Sequence, residues 1–93
     1  MAHTIIATLK IKDGKLAEAL DILKAHAAWI KDNEPGTTHY FVHVINGTNK
    51  ICVYERYESK DAFNIHGKNL VEKAGALMAL IDGGLDIIQL DDA

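Results

Sequence analysis

The chain has 93 residues, 13 acidic and 10 basic side chains, a formal net charge of −3 and 48% hydrophobic content. A single domain of this size buries only about 60–65% of the surface its unfolded chain exposes, so self-association would help to stabilise it. No Lys/Arg cluster is present to track phosphates, which excludes a nucleic-acid footprint, and no apolar run approaches the ~18 residues of a membrane span.

Cys52 is the sole cysteine. An intramolecular disulfide and a C-x-x-C pair are therefore excluded, which fits a reducing cytoplasm, the expected location. The opening MAHTIIATLKIKDGK has no basic stretch followed by an apolar one, so no signal peptide is expected.

Residues 3–12, HTIIATLKIK, alternate with period two and predict a strand. His3, Ile5, Ala7, Leu9 and Ile11 share one face. After Asp13-Gly14 the spacing becomes helical: Leu16, Ala19, Leu20, Leu23, Ala27 and Ile30 predict a helix over about 15–32. Pro35 in the NEPG stretch ends it. THYFVHVI, 38–45, predicts a second strand, and Asn46-Gly47 a hairpin turn. KICVYERY, 50–57, predicts a third strand, followed by Ser59 as a helix N-cap. A short helix over 60–66 is expected to break at Gly67. A further helix over about 68–82 is expected to bury Leu70, Val71, Ala74, Leu77, Met78 and Ile81. Gly83-Gly84 would turn the chain into a last strand, 85–90.

The order β-α-β-β-α-β is that of an α+β ferredoxin-like fold, with a four-stranded antiparallel sheet and both helices on one face. The other face then needs a cover. An even hairpin loop pairs even positions of strand two with odd positions of strand three. Tyr40, Val42 and Val44 then share the helix-side face with Ile51, Val53, Glu55 and Tyr57. His39, Phe41, His43 and Ile45 share the open face with Cys52, Tyr54 and Arg56.

Four features together resemble the antibiotic biosynthesis monooxygenase (ABM) family, and its quinol-monooxygenase-like members in particular. They are EPG at 34–36, Tyr40, the run YERYES ending at Ser59, and a following AF with His66 seven residues past that serine. The likeness spans about residues 3–91, and the whole chain, 1–93, is expected to be one such domain. The resemblance implies a dimeric α/β barrel, in which two subunits pack sheet on sheet, and a pocket in each subunit between helices and sheet. Some relatives oxygenate phenols or quinols with O2 and use no metal or flavin, so no cofactor is expected. The chemistry is sound. A deprotonated phenol or hydroquinone can itself reduce O2, and the protein needs to supply a base, an apolar cavity and a donor for reduced oxygen.

His66 is the candidate base, because its ordinary pKa suits proton transfer near neutrality and it shares a helix face with Phe63. The competing role is structural: a helix-end histidine bonded to a backbone carbonyl. Glu55 could orient His66 or relay a proton, or be one half of a structural hydrogen-bonded pair. Tyr40, Tyr57, Phe63, Val53 and Trp29 are the candidate substrate-contacting residues, with interface or core packing the competing role for Trp29. His39 and His43 lie about 13 Å apart on a strand at ~3.3 Å per residue, too far to share one ion, so no metal site is expected.

Two better-defined branches of the superfamily do not carry over. A haem-degrading branch uses an Asn on strand one, where this chain has Ala7, together with a Trp and a His whose places are taken by His66 and about Leu77. A branch oxygenating polyketide phenols uses Asn, Trp and Tyr where Val53, Tyr57 and Phe63 stand here. The function expected is cofactor-independent oxidation of a small phenol or quinol by a homodimer. An isomerase and a non-catalytic ligand-binding dimer are the alternatives.

Overall fold

The computed structural model describes residues 2–93. Strand β1 (His3–Ile11) leads into helix α1 (Leu16–Asn33), strands β2 (Thr37–Val44) and β3 (Lys50–Tyr57), helices α2 (Lys60–Lys73) and α3 (Gly75–Met78), and strand β4 (Ile81–Asp91). The four strands form one antiparallel sheet in the order β2-β3-β1-β4. This is the ferredoxin-like arrangement expected from the sequence.

The β2–β3 register matches the expectation: Tyr40 pairs with Glu55, Val42 with Val53 and Val44 with Ile51. Gly47, at φ 74°, makes the turn that an L side chain would strain. At the other end the register shifts between Thr37 and His39. That bulge falls where the strand leaves the EPG corner.

The alternation of β1 places Ile5, Leu9 and Ile11 in the core, against Leu23 of α1 and Ile51 and Val53 of β3. The Ser59 hydroxyl caps α2 by accepting from the Ala62 amide at 3.2 Å. Gly36 closes the corner on the same helix. A Cβ added there would lie 2.6 Å from the Ala62 Cβ, so only glycine lets the chain pass so near α2.

The second half of the chain departs from expectation in three places. Helix α2 runs unbroken through Gly67 to Lys73, because a glycine inside a helix costs only about 1 kcal/mol and its neighbours pack well. The face that packs is Ala62, His66, Leu70, Ala74 and Leu77, at spacings of three and four. Val71 is 85% exposed and Met78 53% exposed, so neither is core. Residues 81–84 belong to β4 rather than to a helix and a turn. The β1–β4 register shifts between Leu9 and Ile11, opposite Asp82, Gly83 and Gly84, and Gly83 takes φ 97° there. The two glycines form a bulge in a longer strand.

No helix is long and apolar enough to cross a membrane, among the described residues.

Candidate active site

Between sheet and helices lies a cavity of about 160 Å³. Its floor is Ile5 and Ala7 of β1 and Val53 of β3, its roof Leu23, Phe63 and Leu70, and the exposed Met78 and Ile87 stand at its edge. A dry apolar cavity of roughly 150 Å³ accepts a benzene molecule, so this volume suits a single aromatic ring. Among the described residues that line it, the polar side chains are Tyr40, Glu55 and His66, and these three lie together.

His66 is 3% exposed and sits between two carboxylates. Its Nδ1 lies 2.9 Å from Oε1 of Glu34, and its Nε2 lies 3.6 Å from Oε1 of Glu55. Glu34 is buried as well. It also accepts from the Thr37 hydroxyl at 2.9 Å and, through Oε2, from the Asn69 amide at 3.0 Å. Burial alone would raise its pKa. The hydrogen bonds from Asn69, His66 and Thr37 together outweigh burial and hold it below the ordinary value. Glu34 is therefore an ionised acceptor, and His66 must donate Nδ1–H to it. In the neutral ring that leaves the lone pair on Nε2, the nitrogen turned towards Glu55.

Glu55 has the opposite character. Burial, its largest influence, raises its pKa, against the lowering effects of Tyr57 and His66. The Tyr57 hydroxyl donates to its Oε1 at 2.5 Å. Burial, followed by the charge of Glu55, raises the pKa of both Tyr40 and Tyr57, so both stay phenols. One carboxylate thus fixes the imidazole from behind. A second carboxyl, more easily protonated, stands before it at the cavity end.

The structure brings His66, Glu55, Tyr40, Phe63 and Val53 to one cavity. Tyr57 lies beneath it, fully buried, and supports Glu55 rather than lining the wall. Trp29 lines a neighbouring groove between α1 and α2. His66 bonds side chains, not a backbone carbonyl at a helix break. The sequence marked Glu34 only as part of the EPG motif and not as a site residue, since nothing in local periodicity links it to a residue 32 positions away. A trace existed in Asn69. It stands three residues after His66, so two polar groups share a helical face that ought to be apolar. Among the described residues, no three His, Cys, Asp or Glu side chains are arranged to hold a metal ion.

A model of the family described as antibiotic biosynthesis monooxygenase matches residues 2–74. No curated protein matches the chain. Among solved structures, a candidate antibiotic biosynthesis monooxygenase from Caulobacter crescentus is 29% identical. The match covers 99% of this chain and 90% of that one at a TM-score of 0.91. Rv0793 from Mycobacterium tuberculosis is 16% identical, with 100% and 96% covered and a TM-score of 0.89. SnoaB from Streptomyces nogalater, a cofactor-independent oxygenase, is 17% identical, with 98% and 92% covered and a TM-score of 0.81. At such identities the last two are similar to this chain in fold alone.

Proposed function

The chain belongs to the antibiotic biosynthesis monooxygenase family, and on that premise we propose that it oxidises a small phenol or quinol with O2 without a cofactor. The observation that carries the reading is an imidazole whose Nδ1 is held by a buried carboxylate while its Nε2 stands at the polar end of a ring-sized apolar cavity.

His66 Nε2 takes the phenolic proton, and the imidazolium that forms is stabilised by ionised Glu34. The resulting anion gives one electron to O2, and the radical pair joins at a ring carbon as a hydroperoxide that is protonated from His66. Loss of water leaves the new carbonyl. For a hydroquinone the sum is hydroquinone plus O2 giving hydroxyquinone plus water, with all four electrons drawn from the substrate. Glu55 orients the imidazole and holds a proton near the reduced oxygen. Tyr40, Phe63 and Val53 contact the ring, and no metal takes part.

The working unit in this reading is a homodimer joined through the open sheet faces. Its support is a band of exposed apolar side chains on the face away from the helices, Phe41, Ile88 and Leu90 among them, with Phe41 stacked on Tyr54 at 6.2 Å. A face of this kind on a small domain is a liability unless covered.

A second reading draws on the same pair of groups. A base at His66 and a protonatable Glu55 also suit an isomerase, which would turn over without O2.

The test is oxygen uptake by metal-stripped protein against a panel of hydroquinones and polyphenols. Uptake above the uncatalysed rate is expected, falling by about 10²–10⁴ in His66→Ala. Full activity in that variant overturns the assignment of the base. Anaerobic turnover favours the isomerase.

A further inference from the structure

Helices α1 and α2 leave a second groove between them, of about 400 Å³. It shares Leu23, Leu70, Ala74 and Leu77 with the inner cavity, so the two spaces adjoin along these side chains. The groove also carries His26, Trp29 and Lys73. The Lys73 ammonium lies 4.4 Å from the Trp29 ring centroid. Trp29 stacks on His26 at 5.9 Å and 6°, and His26 lies 5.8 Å from His66. A ladder of ring contacts therefore runs from a surface cation to the buried imidazole.

Two groups on this ladder have unused bonding capacity. Among the described residues, Lys73 has no carboxylate within 4.0 Å. Nε2 of His26 is buried and has no hydrogen-bond partner. Buried polar atoms are nearly always paired, so an orphan beside a groove points to a group that arrives with a ligand. Burial first, then the nearby His66, holds the His26 imidazole below its ordinary pKa. Near neutrality it is a neutral hydrogen-bonding group, not a second cation.

We propose that this groove receives the acidic side chain of the aromatic substrate. The ring occupies the inner cavity, the chain runs along Leu23 and Leu70, which line both spaces, and a carboxylate rests on Lys73, with His26 bonding a polar atom of the chain. One cation beside one neutral group matches a monoanion better than a phosphate dianion. The proposal rests on the inner cavity as the ring site, and it names the substrate class: phenols or quinols bearing a carboxylate.

The test is anaerobic calorimetry, which reads binding without turnover. The probes are homogentisate, a hydroquinone with an acetate side chain, and its neutral methyl ester. The wild-type protein is expected to bind the acid about five- to tenfold more tightly than the ester, as a half-exposed charge-assisted bond would give. The preference should shrink with added salt. It should vanish in Lys73→Gln and survive in Lys73→Arg, while affinity for the ester stays unchanged in both. Lys73 is exposed at the end of α2, so these variants fold. No preference in the wild type, or a preference retained in Lys73→Gln, overturns the proposal while leaving the inner cavity as it stands. Binding of neither probe overturns the ring site, and the proposal with it.

Discussion

Glu34 and His66 are joined by a 2.9 Å hydrogen bond across 32 residues of sequence, both side chains buried. Replacing Glu34 with Gln keeps an acceptor for Nδ1–H and the shape of the site but removes the charge that stabilises imidazolium. The expected result is a fall in kcat of about 10–100-fold, with KM little changed, since the loss falls on the transition state. Steady-state oxygen uptake reads this split. Glu34→Ala leaves His66, Thr37 and Asn69 all short of an acceptor and should cost about 3 kcal/mol in urea unfolding.

Tyr57 donates its hydroxyl to Glu55 and thereby opposes the upward push that burial exerts on that carboxyl. Tyr57→Phe removes the opposing influence. The Glu55 pKa is expected to rise further, as read by carbon-13 NMR titration of the glutamate carboxyls. Stability should fall by about 1–2 kcal/mol for the lost buried hydrogen bond.

His26 has a lowered pKa in the fold, caused first by burial and next by His66, with Lys73 adding to them and Glu34 opposing. The unfolded chain therefore binds more protons at this residue as pH falls below about 6.5. Its stabilising contribution is complete above that pH and is lost on acidification. Urea midpoints at pH 7.5 and 5.5 should differ less in His26→Phe than in the wild type. Staying above the ordinary carboxylate range keeps Glu34 ionised in both proteins. An equal pH dependence in the two would refute the assignment.

Phe41 is 53% exposed on the open sheet face, stacked on Tyr54. If that face joins two subunits, Phe41→Asp buries a charge at the interface and should convert the dimer to monomer at micromolar concentration. Sedimentation velocity distinguishes the two states. A wild-type monomer at millimolar concentration would remove the dimer from the reading.

The strands were legible in the sequence because period-two alternation is a local signal, and β1 and the β2–β3 hairpin follow it closely. The turn at Asn46-Gly47 fixed the register and so placed Tyr40 opposite Glu55. Gly67 and Gly83-Gly84 misled for one reason. Glycine is permissive rather than obligatory, and packing decided that the first sits inside a helix and the others in a bulge.

The sequence by itself determined the element order, the open apolar face of the sheet, and the arrival of His66 and Glu55 in one neighbourhood. Each follows from spacing along the chain and from which side chains avoid water. Only the tertiary structure decided which groups pair. Glu34 reaches His66 because Gly36, with no Cβ, lets the EPG corner pass close against Ala62 of α2. Tyr57 rather than Tyr40 bonds Glu55, although both tyrosines share its face of the sheet and Tyr40 stands directly opposite it. Pairing across a fold depends on ångström-scale distances between elements, and sequence periodicity carries no such distances.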